Sequence, residues 1–239
     1  MTPLMPTFDD FCRSGNLSVD PETYELENAA IARNGRLDQA LAQLAPWANR
    51  DLLDVGCGNG YWLPGYAATA QSVVGVEPDD DLLRLAAKRV DGSPNIEVLA
   101  GSAEHLPLGD ASVDVVHARF AYFFGRGAER GLQEVRRVLR PGGVLAAVDN
   151  DWGWGDFASI LRMASTGNAT IDPDEVGTWW STQGATRTNI RAGWHAGSAA
   201  ELERILRLEF PGDVIDRFLI GRSPTSQLSY GIALFAIHM

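Results

Sequence analysis

Short apolar runs alternating with helical repeats set the layout of the chain. The run opening at Leu52, then Ser72–Glu77 (SVVGVE), Ile96–Ala100, Val113–Ala118 and Val144–Val148 are bounded by Gly, Pro, Asp or Asn, which predicts five buried strands. Between them the spacing predicts an imperfect helix over Tyr61–Ala70, with Pro64 and Gly65 near its start. A second helix starts at Asp79-Asp80-Asp81, carries Lys88 and Arg89 in its last turn, and is stopped by Gly92 and Pro94. A third spans Glu129–Leu139 with Leu132, Val135, Val138 and Leu139 inward, and Arg140-Pro141-Gly142-Gly143 turns the chain into the fifth strand. Short buried strands separated by helices specify a parallel sheet covered on both faces, an α/β fold.

The flanks follow the same logic. Met1–Asp20 reads as a loose arm; from Glu22 a helical pattern runs on, split by Gly35 and closed by Pro46, with Leu37, Leu41 and Leu44 at i, i+4, i+7 on one buried face. Beyond Asp149 the pattern loosens. Asp151–Gly155 reads as a loop, followed by helices over Phe157–Ser165 and Pro173–Gln183 and a sixth strand over Thr186–Trp194. Ser198 and Glu201 form a capping box for a helix to Leu208; another helix covers Asp213–Ile220, and Gln227–Ile237 is a long last strand. The layout is a single domain over 1–239: arm and helices 1–48, ligand-binding core 49–150, a lid and acceptor segment 151–185, and the rest of the sheet 186–239.

Composition narrows the partners. The 239 residues are 45% hydrophobic and 21% charged, with a net charge of −11. Such a surface repels duplex nucleic acid and anionic membranes, so neither is expected as a partner. Cys12 and Cys57 make neither a disulfide framework nor a structural zinc site, and no metal is expected. Cys57 reads as packing in the glycine turn. The N-terminus lacks a signal-peptide pattern and no run approaches the ~18 apolar residues of a span, so a soluble, cytoplasmic protein is expected.

The chemistry is concentrated in Leu52–Trp62, LLDVGCGNGYW. Gly56, Gly58 and Gly60 alternate where a parallel strand ends, as a backbone does when it must approach a ligand closely. Asp54 places a carboxylate at the same edge, and Glu77 ends the second strand, where it can take both hydroxyls of a ribose. The dinucleotide fingerprint wants G-x-G-x-x-G. Here the third glycine comes one residue early and Tyr61 follows it, which speaks against a nicotinamide oxidoreductase.

Taken together, these stretches resemble the class I S-adenosylmethionine-dependent methyltransferases over roughly Leu52–Asp149. DVGCGNG is similar to the family's first motif, VVGVEPDDDLLRLAAKR to its second, GSAEHLP to the loop after the third strand, VDVVHARFAYFF to the fourth-strand motif and LQEVRRVLRPGGVLAAVDND to the turn into the fifth strand. The resemblance implies S-adenosylmethionine as cofactor, with S-adenosylhomocysteine as product, and a Rossmann-like, doubly wound seven-stranded sheet of order 3-2-1-4-5-7-6, its seventh strand antiparallel, with helical lid elements. It implies that Asp54 positions the methionine amino group, that the backbone of Gly56, Gly58 and Gly60 lies against the cofactor, and that Glu77 binds the ribose beside Pro78 at the adenine. Ser102, Ala103 and Glu104 would flank the adenine, and Ala118, Arg119 and Phe120 would approach the methionyl end. Ser102 stands where the family usually has an acid. No motif for methylating nucleic-acid bases follows strand four. The acceptor is expected to be a small molecule, methylated on O, N or C; the other reading is a protein that keeps the cofactor without methyl transfer.

No catalytic residue is singled out, because in-line transfer from a sulfonium mainly needs positioning and exclusion of water. His117 reads as a packed core histidine before a base, and His105 as a surface or cofactor-edge residue. Tyr122, Arg119, Asp149, Asn150 and Asp151 lie at the correct edge to orient an acceptor, while His195 has no supporting partner. The N-terminal arm with Phe8, Phe11 and Tyr24, and an aromatic lid of Trp152, Trp154, Trp179 and Trp180, are expected to shape an apolar acceptor pocket.

Overall fold

The computed structural model describes residues 13–33, 35–165 and 172–239. Phe8, Phe11 and Cys12 lie outside the described residues. Seven strands form one sheet in the order β3-β2-β1-β4-β5-β7-β6. They are β1 (Asp51–Val55), β2 (Ser72–Glu77), β3 (Ile96–Ala100), β4 (Val113–Arg119), β5 (Leu139–Trp154), β6 (Thr186–His195) and β7 (Gln227–His238). The first five run parallel, and β7 is antiparallel to both β5 and β6.

Strand alternation sends successive residues to opposite faces, and two cores result. Leu52, Val115, Val144 and Leu234 face one core; Leu53, Val116, Leu145 and Phe235 face the other. The first is covered by α1 (Pro21–Ala32), α2 (Arg36–Leu44), α3 (Leu63–Ala67), α6 (Gly155–Ala164), α8 (Ala199–Glu209) and α9 (Gly212–Leu219). The second is covered by α5 (Glu129–Val138) and α7 (Pro173–Thr182). Helix α4 (Asp80–Arg89) starts at an N-cap, Asp79, whose side chain accepts from the Asp81 and Leu82 N–H groups.

Two local expectations are corrected. The Arg140–Gly143 segment lies within β5, not in a turn ahead of it, because Gly142 N–H donates to Met239 O and Met239 N–H to Gly143 O at the chain's end. Asp151–Trp154 likewise extends β5 instead of forming a loop. The long β7 gives β5 a partner out to Asn150 and bridges Gly155 to Tyr230, so tertiary pairing overrides local turn chemistry. Gly155, at φ 94°, is required there, since a Cβ would stand 2.7 Å from Ser229 O. At α8 the Ser198 hydroxyl accepts from Glu201 N–H as expected, but the return bond goes to Gly197 N–H.

Candidate active site

A cavity of about 750 Å³ lies over the carboxyl ends of β1, β2, β3 and β4 and continues past β5 and β7. That is where an open parallel sheet binds ligands. Its floor at one end is the glycine turn after β1. Gly56 and Gly58 have φ of 70° and 57°, a backbone only glycine adopts readily, and both line the cavity. Gly60, at φ 74°, does a different job: its Cα hydrogen faces α4, where a Cβ would meet Ala86 Cα at 3.1 Å. Gly60 therefore supplies the close helix–strand packing that the bulky Tyr61 cannot.

Glu77 is buried at the cavity wall, its carboxylate accepting Gly58 N–H at 2.8 Å and Asp79 N–H at 3.0 Å. Burial pushes it up to about 7, against the pull of these two bonds. Asp54 is also buried; burial pushes it up to about 7, Arg119 opposing and Glu77 adding. Pro78, Ser102 and Ala103 complete this end of the cavity. Of the expected cofactor residues, Gly56, Gly58, Glu77, Pro78, Ser102, Ala103 and Arg119 come together on its wall, whereas Asp54, Gly60 and Glu104 stand behind it. Glu104 accepts from Tyr122 Oη at 2.6 Å and pairs with Arg130.

Arg119 ends β4 with its guanidinium 3.6 Å above the Trp62 ring, donating to Tyr66 Oη at 3.1 Å and Asp38 at 3.2 Å. Phe120 and Tyr122 follow in the left-handed region, at φ 53° and 56°, a strained turn at the cavity wall.

The roof comes from the arm. Ser18 donates to Asp79 at 3.1 Å, Arg13 pairs with Asp79 at 2.9 Å, and Asn16 donates to Glu209 at 2.6 Å, so residues 13–18 cross from α4 to α8. Leu17 packs over Gly58, where its Cδ2 would be 2.7 Å from an added Cβ. Beyond β4, the cavity is walled by Tyr24, Glu27, Phe120, Asn150, Phe157, Leu208, Glu209 and Tyr230. Glu27, Phe157, Glu209 and Tyr230 were not singled out in the sequence. Glu27 and Glu209 sit on amphipathic helices, and only the sheet order brings those helices over the site.

His117 is fully buried between Trp47 and Tyr66, with ring centroids at 5.4 and 5.1 Å, and burial pushes it down to about 3: a neutral core histidine. His105 is exposed beside Ser102 and Arg130. Asn150 lines the cavity and accepts from Tyr230 Oη at 2.7 Å. Asp149 is buried, pushed up to about 6 by burial, and Asp151 pairs with Arg187 at 3.2 Å; both border a smaller cavity of about 310 Å³. His195 is half-buried at the end of β6, its carbonyl accepting from Arg33. Trp179 and Trp180 pack α7 onto the far face of the sheet, Trp180 stacked on Phe235 at 5.0 Å. Trp152 borders the smaller cavity and Trp154 lies under Arg191. None of the four tryptophans lines the main cavity.

Residues 53–147 match the family described as a methyltransferase domain. An uncharacterized methyltransferase of Mycobacterium bovis is 37% identical over 120 residues, 48% of each chain. The chain spans less than half the length of such curated relatives. Among solved structures, YcgJ from Bacillus subtilis has a TM-score of 0.61 at 18% identity, covering 86% of this chain and 98% of its own. A SAM-dependent methyltransferase from Aquifex aeolicus has a TM-score of 0.55 at 17% identity, covering 90% and 97%. Fold, glycine turn and matched domain agree: residues 53–147 carry a methyltransferase domain, set in a sheet of the order expected for the class I S-adenosylmethionine-dependent methyltransferases. The nicotinamide reading is thereby set aside.

Proposed function

We propose that this protein transfers a methyl group from S-adenosylmethionine to a small-molecule acceptor held in the far half of the cavity. The observation that carries this reading is one continuous cavity joining Gly56, Gly58 and Glu77 to Asn150, Phe157 and Tyr230. The cofactor fits the near half: Glu77 is a buried carboxylate fixed by two backbone N–H groups, and Gly56 and Gly58 bring backbone to the cavity wall. Glu77 takes the ribose hydroxyls, Pro78, Ser102 and Ala103 flank the adenine, and Gly56 and Gly58 present backbone to the methionyl chain. Arg119 orients that end from the cavity wall, with Asp54 behind the turn. When bound, the cofactor supplies an activated methyl on a sulfonium. The chain's task is then to hold the acceptor in line and keep water out, which the Leu17 roof and the aromatic walls do.

The test is incubation with methyl-labelled S-adenosylmethionine and a panel of small hydroxyl, amine and carbon acceptors, read by mass. A product heavier by one labelled methyl is expected. Cofactor binding without any methylated product across the panel would favour a binding protein of the same fold.

A further inference from the structure

The far half of the cavity contains an arrangement that the cofactor does not use. Glu27 on α1 is 6% exposed, lines the cavity, and its Oε2 receives no hydrogen bond from any donor among the described residues. The polar group facing its carboxyl is a second one, Glu209 on α8. Two carboxyls this close cannot both ionise cheaply, and burial with the Glu209 charge holds Glu27 well above the carboxylate range. Burial raises Glu209 as well, so the pair ionises most readily when a cation joins it. Asn16 Nδ2 donates to Glu209 Oε1 at 2.6 Å, and among the described residues no cationic side chain pairs with either carboxyl. Among the described residues on the cavity wall Arg119 is the only basic one, and it is held by Tyr66 and Asp38 near Asp54.

The surroundings are aromatic. Tyr24, Phe120, Phe157 and Tyr230 wall the same region, with Phe157 and Tyr230 in edge contact at 4.7 Å and Phe120 at 6.3 Å from Tyr230. Tyr230 Oη is occupied by Asn150. A buried carboxyl pair with no cation beside it among the described residues, inside a ring of aromatic side chains, is a site complementary to an organic ammonium. A structural clamp between α1 and α8 would be better served by a carboxylate with a basic or amide partner.

We propose that the Glu27–Glu209 pair and its aromatic walls bind a protonated amine carried by the methyl acceptor. This rests on the methyltransferase reading and adds the acceptor's class: an ammonium-bearing molecule with an apolar body. The pair is a recognition element, and the methylated atom can lie elsewhere on the acceptor.

The experiment is calorimetry on the full chain, first with S-adenosylhomocysteine, then on the saturated complex with benzylamine, benzyl alcohol and benzoate. Benzylamine is expected to bind at least about tenfold tighter than benzyl alcohol, with benzoate weakest. The double variant Glu27→Gln with Glu209→Gln keeps the shape and removes the charge; it should abolish the amine preference while S-adenosylhomocysteine affinity stays within about twofold. Glu27→Met with Glu209→Met, which replaces the buried pair by apolar side chains, carries the same test should the first variant not fold. No preference for the amine, or an unchanged preference in the folded variant, overturns the ammonium site while the methyltransferase reading stands. Loss of S-adenosylhomocysteine affinity equal to that for benzylamine would assign the pair to the cofactor instead. Failure of the wild-type protein to bind S-adenosylhomocysteine overturns the underlying reading.

Discussion

Glu77, at the end of β2, accepts the N–H of Gly58 at 2.8 Å, which ties the carboxylate to the glycine turn after β1. The bond fixes one carboxylate oxygen and shapes the turn at once. Glu77→Ala is expected to weaken S-adenosylhomocysteine binding by about 1–3 kcal/mol, roughly fivefold to 150-fold, through lost charge-assisted bonds. Calorimetry on the folded variant checks this, and an unchanged affinity would remove Glu77 from the site.

Gly60 predicts a stability effect. Alanine there must hold φ near 74° with its Cβ 3.0–3.1 Å from Ala86, so Gly60→Ala should cost about 1–3 kcal/mol. Gly65 lies inside α3 with nothing within 4 Å of an added Cβ. Gly65→Ala should instead stabilise by about 0.5–1 kcal/mol. Urea unfolding of both variants distinguishes them.

The buried carboxyls set a pH dependence. Asp54 and Glu77 are raised to about 7 and Asp149 to about 6, so each binds its proton more tightly folded than unfolded. Their contribution to stability is full below the ordinary carboxylate range and is lost as pH rises toward 7. His117, pushed down to about 3, acts oppositely: its contribution is present above the ordinary histidine value and lost as pH falls. Glu77→Gln removes one rising-pH loss. Without cofactor, the variant should gain on the order of 2 kcal/mol over wild type between about pH 4 and pH 8, measured by urea unfolding. A difference that does not vary with pH would contradict the assigned shift.

Trp180 separates packing from binding. It is buried on the face opposite α1, stacked on Phe235 and away from the main cavity. Trp180→Ala should lower stability by about 3–5 kcal/mol while the folded fraction binds S-adenosylhomocysteine as wild type does. Weakened binding by fully folded variant would return α7 to the site.

Much of this was legible in the chain. Ser72–Glu77 and Ile96–Ala100 occupy the strands their apolar runs predict, since a fully buried parallel strand depends on little but its own hydrophobicity and the turns that bound it. The glycine turn was equally readable, although the split between Gly58 at the cavity and Gly60 against Ala86 needed the position of α4. What could not be read was set by distant pairing. Asp151–Trp154 continues β5 between the Asn150–Ile232 pair and the Gly155–Tyr230 bridge, both supplied by β7, and the tryptophans of α7 face a core rather than a ligand because of the side of the sheet that helix covers. Glu27 and Glu209, far apart in sequence, become neighbours only when α1 and α8 pack together.

The central claim is that the cavity joined to the glycine turn is a cofactor site, and titration of S-adenosylhomocysteine into the wild-type protein tests it most directly. One-to-one binding with micromolar affinity is predicted. No heat from folded protein, with either S-adenosylhomocysteine or S-adenosylmethionine, would contradict it.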